Sequence, residues 1–120
     1  MNYEEILQMP VRELMVWLIN EFSTDCPEMI ATIDDMDNAS KILLKLSSYY
    51  SYLCALMSYA KVATREAKRS GDKIFYEDMV DKKEAIEHMT DAVKQRYNAI
   101  SRAVTIHIEN NNELHMNGGA

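Results

Sequence analysis

The sequence predicts an all-α protein: short N-terminal helices followed by a long antiparallel helical hairpin, expected to pair with a second copy as a dimeric helical bundle. Three observations lead there. Breakers are scarce, with 3 Gly and 2 Pro in 120 residues, whereas sheets and many-looped folds need turn residues. Apolar side chains recur at intervals of three and four over long runs, the period of one helix face. A single strong turn signal, "KRSGDK" at Lys68 to Lys73, divides the longest breaker-free stretches. Hydrophobic residues make up 48% of the chain, enough to rule out a compositionally disordered protein. The length suits one domain, expected over residues 1–109.

The first helix is expected over about residues 10–22. An apolar cluster, Ile6, Leu7 and Met9, precedes it. Pro10 suits a first helical turn, where its missing N–H would have been unpaired anyway. Leu14, Trp17, Leu18 and Phe22 then follow at helical spacing. Trp17 and Phe22 read as core or subunit-contact residues.

A second short helix is expected over about 27–36. In "STDCPEM", Thr24 or Asp25 can cap and Pro27 fits the first turn. Ile30, Ile33 and Met36 mark its face. The following "DDMDN" has two readings. Asp37 or Asn38 caps a new helix there, or the acids form the polar side of one continuous helix.

The first long helix is expected over about 39–69, a stretch without Gly or Pro. Leu43, Leu46, Tyr50, Leu53, Met57 and Ala60 form its seam. In "SSYYSYLCALMSYA", Tyr49, Tyr52 and Tyr59 follow a different line from Tyr50, so a second surface is expected. At the turn, Gly71 is placed to end the helix in a left-handed cap and Asp72 to start the next.

The second long helix is expected over about 73–109. Ile74, Phe75, Met79, Ile86, Met89, Val93, Tyr97, Ile100, Val104 and Ile108 sustain one face. Ile86, Val93 and Ile100 are seven apart, a coiled-coil trait. The polar stretch "NNNELHMNGGA", residues 110–120, is expected to be a flexible tail.

These lengths argue for an assembly. At 1.5 Å per residue the long helices reach roughly 45 and 55 Å, and the first helix only about 20 Å. A compact chain of this size has a radius of gyration near about 14 Å. Two long helices do not bury faces this wide by touching each other alone. A second copy covers the remainder, giving four long helices in a dimer. The candidate interface is Trp17, Phe22, Tyr50, Met57, Ile86, Val93, Tyr97, Ile100 and Val104. A monomer remains an alternative if the chain breaks at "DDMDN" and the N-terminal helices fold fully back.

No catalytic set emerges. His88, His107 and His115 form no H-E-x-x-H motif. Glu84, His88 and Asp91 share a helical face, read as a solvated side opposite Ile86 and Val93. Cys26 and Cys54 fit no metal spacing and are expected free and reduced. Cys54 lies in an apolar context and reads as buried and inert. Three glycines do not build a phosphate loop. The expectation is a protein with no cofactor, no metal and no enzymatic activity. No run reaches 18 apolar residues, so no membrane span is expected. No leader-like segment opens the sequence, and a cytoplasmic setting is expected.

The net charge of -6 is unevenly spread. Residues 1–40 hold nine acids and only Arg12, whereas residues 41–102 hold twelve basic residues and eight acids. Lys61, Arg65, Lys68, Arg69 and Lys73 gather around the turn. Such a patch can meet nucleic-acid phosphates or a protein partner, or simply solvate the helix and oppose its dipole.

The stretch "REAKRSGDKIFYEDMVDKKEAIEHMTDAVKQRYNAISRAV" resembles small all-helical proteins encoded by phages and prophages of Gram-positive bacteria, within about residues 39–115. The resemblance rests on the long hairpin, the charged turn and "YNAISRAV". It implies a host-cell cytoplasmic setting and a non-enzymatic accessory role, among early or recombination functions. It carries over no functional residue.

Two functions are therefore expected. The first is a dimeric helical protein that binds another protein or serves in assembly, for instance on a host factor or defence system. The alternative is a nucleic-acid-binding accessory of recombination or replication that uses the basic patch.

Overall fold

The computed structural model describes residues 1–23 and 30–118, with side chains in 1–23 and 30–112. Four helices and no strand make up the described residues: α1 (Tyr3–Gln8), α2 (Val11–Phe22), α3 (Ile33–Ser70) and α4 (Lys73–Gly118).

The Asn2 side-chain oxygen starts α1 by accepting from the Glu5 amide at 2.8 Å. Glu4 and Glu5 place negative charge at its positive end. The helix stops at Met9, since Pro10 disfavours helical backbone in the residue before it. Six residues are too few to show a period, which is why only an apolar cluster was legible here. α2 follows the expected span, with Pro10 as its cap and Leu14, Leu18 and Phe22 buried.

The two readings of "DDMDN" are decided by a capping box further upstream. The Thr32 hydroxyl accepts from the Asp35 amide at 3.2 Å, and the Asp35 carboxylate accepts from the Thr32 amide at 3.1 Å. The helix thus starts at Ile33 and runs straight through the acids. The separate short helix expected over 27–36 is corrected accordingly. Residues 30–32 are not helical and 33–36 belong to α3. Residues 27–29, like Cys26, lie outside the described residues.

Gly71 ends α3 with φ 78°, the left-handed cap the sequence predicts. The Asp72 carboxylate then accepts from the Phe75 amide at 3.1 Å and opens α4. α4 runs on to Gly118, past the expected boundary at 109. The expected tail is therefore helical over 110–118. Between Gly71 and Gly118 no Gly or Pro interrupts the chain, and Asn costs a helix only a fraction of a kcal/mol, up to about 0.7, relative to Ala.

α3 and α4 pack antiparallel. Leu46, Leu53, Leu56 and Ala60 face Met79, Ile86, Val93 and Ile100 in a continuous core. α2 lies along α4 and α1 against α3. Two side chains of α4 hold this layer. Lys82 Nζ donates to the Leu7 carbonyl at 2.7 Å, and Arg96 Nη1 to the Phe22 carbonyl at 3.4 Å. Leu7 beside Lys82 and Phe22 beside Arg96 mean that α2 runs parallel to α4.

The particle is a rod of 74 × 21 × 19 Å with a radius of gyration of 19.6 Å, well above the compact value near about 14 Å. Five residues expected at a subunit interface belong instead to the internal core: Phe22, Met57, Ile86, Val93 and Ile100. The chain's own helices cover them, because α1 and α2 fold back along the hairpin although no break occurs at "DDMDN".

Candidate functional site

The hairpin has two sides, and α1 and α2 cover one of them. Three tyrosines of α3 face that layer. Tyr3 meets Tyr52 edge-on at 5.6 Å and Tyr59 at 5.8 Å between ring centroids. Phe22 meets Tyr49 edge-on at 5.1 Å and also contacts Tyr52. Burial, followed by the nearby Tyr3 and Glu21, raises the Tyr52 phenol above its usual range. Trp17 packs edge-on against Phe22 at 5.7 Å and is half-buried at the rim of this cluster.

Tyr50 turns the other way. With Ser47, Lys94, Tyr97 and Asn98 it lines a hollow of about 220 Å³ between α3 and α4. Its phenol is held above the usual range, first by the adjacent Cys54 side chain, then by desolvation and the Asp91 carboxylate. Cys54 is half-buried rather than enclosed, since it sits on this uncovered side.

Nearer the turn, Lys61, Thr64, Arg65, Lys68, Tyr76 and Lys83 line a second hollow of about 420 Å³. Both hollows lie on the same side. Lys61 follows Ser47 by fourteen residues and Lys83 precedes Tyr97 by fourteen, whole heptads that return to the same helix face. The uncovered side is thus one groove with two halves. Its open half, away from the turn, is aromatic, apolar and hydroxyl-bearing, with Lys94 as a cation at its inner end. Its turn half is cationic.

The expected basic patch is partly reassembled. Lys61, Arg65 and Lys68 come together on successive turns of α3, whereas Arg69 and Lys73 stay outside the groove. Lys73 instead stands 3.9 Å from Glu77 on the exposed surface. Lys83 and Tyr76 join from α4, and sequence reasoning missed both. The signal was the turn itself, because an antiparallel hairpin folded at Gly71 sets residues near 61 opposite residues near 83.

Of the expected interface residues, Tyr50, Tyr97 and Val104 are the ones at the uncovered side, half-buried or, for Tyr97, 38% exposed. The apolar side of α2 also extends outward beyond the core. There Met15 and Ile19, with Ala85, His88 and Met89, frame a shallow apolar hollow of about 260 Å³. Glu84, His88 and Asp91 are all exposed, and among the described residues no group of three or more His, Cys, Asp or Glu is placed to hold a metal ion. No described helix is long and apolar enough to cross a membrane. Comparison with protein-family models, curated proteins and solved structures finds no match.

Proposed function

We propose that the protein is a non-enzymatic helical assembly protein whose partner is a second copy of itself, bound at the open half of the uncovered groove. The observation that carries this reading is an unpartnered helix-packing surface. Met36, Leu43 and Tyr50 follow at seven-residue intervals along α3 and are half-buried. Across the groove stand Tyr97, Val104 and Ile108 of α4, with Ile108 44% exposed. Ser40, Ser47 and Ser101 sit between them, small enough for helices to approach closely.

A second copy supplies two long helices at once and closes a four-helix bundle about a twofold axis. Charge selects the arrangement. Side-by-side parallel pairing would bring the cationic turns of both copies together, which like-charge repulsion opposes. Antiparallel pairing through the open halves sends the two turns to opposite ends. The resemblance to phage and prophage proteins supplies the proposed setting, an accessory role in a host-cell cytoplasm, where the dimer's remaining surfaces meet a host protein.

Light scattering after size exclusion, over a dilution series, tests the proposal. A stable mass of twice 13.8 kDa is expected, and Tyr97→Lys should halve it without changing the far-UV circular dichroism. A monomer at every concentration would overturn it.

A further inference from the structure

We infer that the cationic half of the uncovered groove binds the phosphate backbone of single-stranded nucleic acid. Four cations converge there. Lys61, Arg65 and Lys68 line one wall and Lys83 the other, with no carboxylate in the lining. The chain's overall charge of -6 disfavours polyanions at long range, so the local arrangement of acids matters most.

Three acids of the turn region have partners outside the groove. Asp72 caps α4 through the Phe75 amide at 3.1 Å. Asp78 holds Lys82 at 2.8 Å on the covered side. Glu77 stands beside Lys73. Glu66 and Glu84 are sequence neighbours of groove cations, yet neither lines the groove. Glu87, one helical turn past Lys83, closes the cationic stretch toward the middle of the rod. Neither ion pair among the described residues involves a groove cation, so all four ammonium and guanidinium groups face solvent counterions that a polyanion can release.

The shape favours a single strand. A groove of about 420 Å³ between two helices admits one extended backbone, whereas a duplex would touch only its rim. Tyr76 is half-buried in the wall and offers a ring for an unstacked base. Thr64 contributes no sequence readout, since its hydroxyl donates to the Ala60 carbonyl at 2.7 Å. Binding should therefore be indifferent to base sequence.

The test is fluorescence anisotropy of a labelled thymidine 20-mer with the full chain, from about 50 to 300 mM NaCl. Binding is expected at the low end, falling steeply with salt. Lys83→Ala and Arg65→Ala should each weaken it about fivefold and make the salt slope shallower by about 0.7. Arg69→Ala and Lys73→Ala, outside the groove, should stay within about twofold. Lys83→Arg should retain binding. Arg65, Arg69 and Lys73 are exposed and Lys83 is half-buried, and unchanged circular dichroism checks the fold.

Absence of binding at the lowest salt would overturn the inference. So would equal losses in all four alanine variants. Displacement of the oligonucleotide by polyglutamate as readily as by unlabelled thymidine 20-mer would assign the groove to an acidic protein instead, and stronger competition by a duplex would assign it to double-stranded DNA. None of these outcomes depends on self-pairing, because Lys83→Ala leaves the open half of the groove untouched.

Discussion

Lys82 brings a charge into the core at 5% exposure. Its ammonium is satisfied by the Leu7 carbonyl at 2.7 Å and by Asp78 at 2.8 Å, so the residue pins α1 to α4. Lys82→Ala should lower stability by about 2 kcal/mol in chemical denaturation, the order expected when a buried charged hydrogen bond is lost and its carbonyl left unpaired. Asp78 is partly exposed and rehydrates, which limits the loss. At the other end of the rod, the Thr32 hydroxyl, followed by the Ala31 amide, holds the Asp35 carboxyl below its ordinary value of 3.8. A depressed carboxyl stabilises the folded form above its unfolded pKa, and that contribution disappears as pH falls through the folded one. Thr32→Ala removes this cap and should loosen the first turn of α3 near neutral pH. Faster amide exchange over Ile33 to Met36 would show it, and the difference from the wild-type chain should shrink below pH 3.8.

At the scale of elements, the hairpin depends on its one turn. An added Cβ at Gly71 meets nothing within 4 Å, but the backbone has φ +78°. Gly71→Ala should thus destabilise by about 1 kcal/mol through backbone strain alone, with Gly71→Asn costing less. Along α3, the period separates side chains that matter from those that do not. Leu53 is fully buried and Leu44 is 76% exposed. Leu53→Ala should cost about 2–4 kcal/mol and Leu44→Ala almost nothing, a contrast that denaturant midpoints would read directly. Much of this was legible beforehand. Gly71, Asp72, the seam of α3 and the Met79, Ile86, Val93 and Ile100 face of α4 declared themselves by spacing, whereas Ile74 and Phe75, expected on that face, stand 81% and 47% exposed beside the turn. The start of α3 did not, because Thr32 and Asp35 act as a cap only once the chain before them is extended.

For the whole molecule, the rod leaves one side of a two-helix layer uncovered over most of its 74 Å length. The antiparallel pairing proposed above centres on the open half, near Leu43 and Val104, and puts the two turns far apart. Lysine cross-linking in a mixture of isotope-labelled and unlabelled chains should then yield no links between copies through Lys68 or Lys73. Such links would mean that the turns meet, and that some other contact outweighs the repulsion of their cations.

The sequence by itself determined that the chain is helical, where the hairpin turns and which faces are apolar. Those properties follow from breakers, caps and period, which act within a few residues of one another. Only the tertiary structure decided what covers each face. It folded α1 and α2 back onto one side, which moved Phe22, Met57, Ile86, Val93 and Ile100 from a supposed interface into the core. It also split the basic cluster, leaving Arg69 and Lys73 outside the groove and bringing Lys83 and Tyr76 into it. The physical reason is the same in both cases. A helical period states which way a side chain points, but the neighbour it meets comes from a segment many residues distant, and its position is set by how the helices pack.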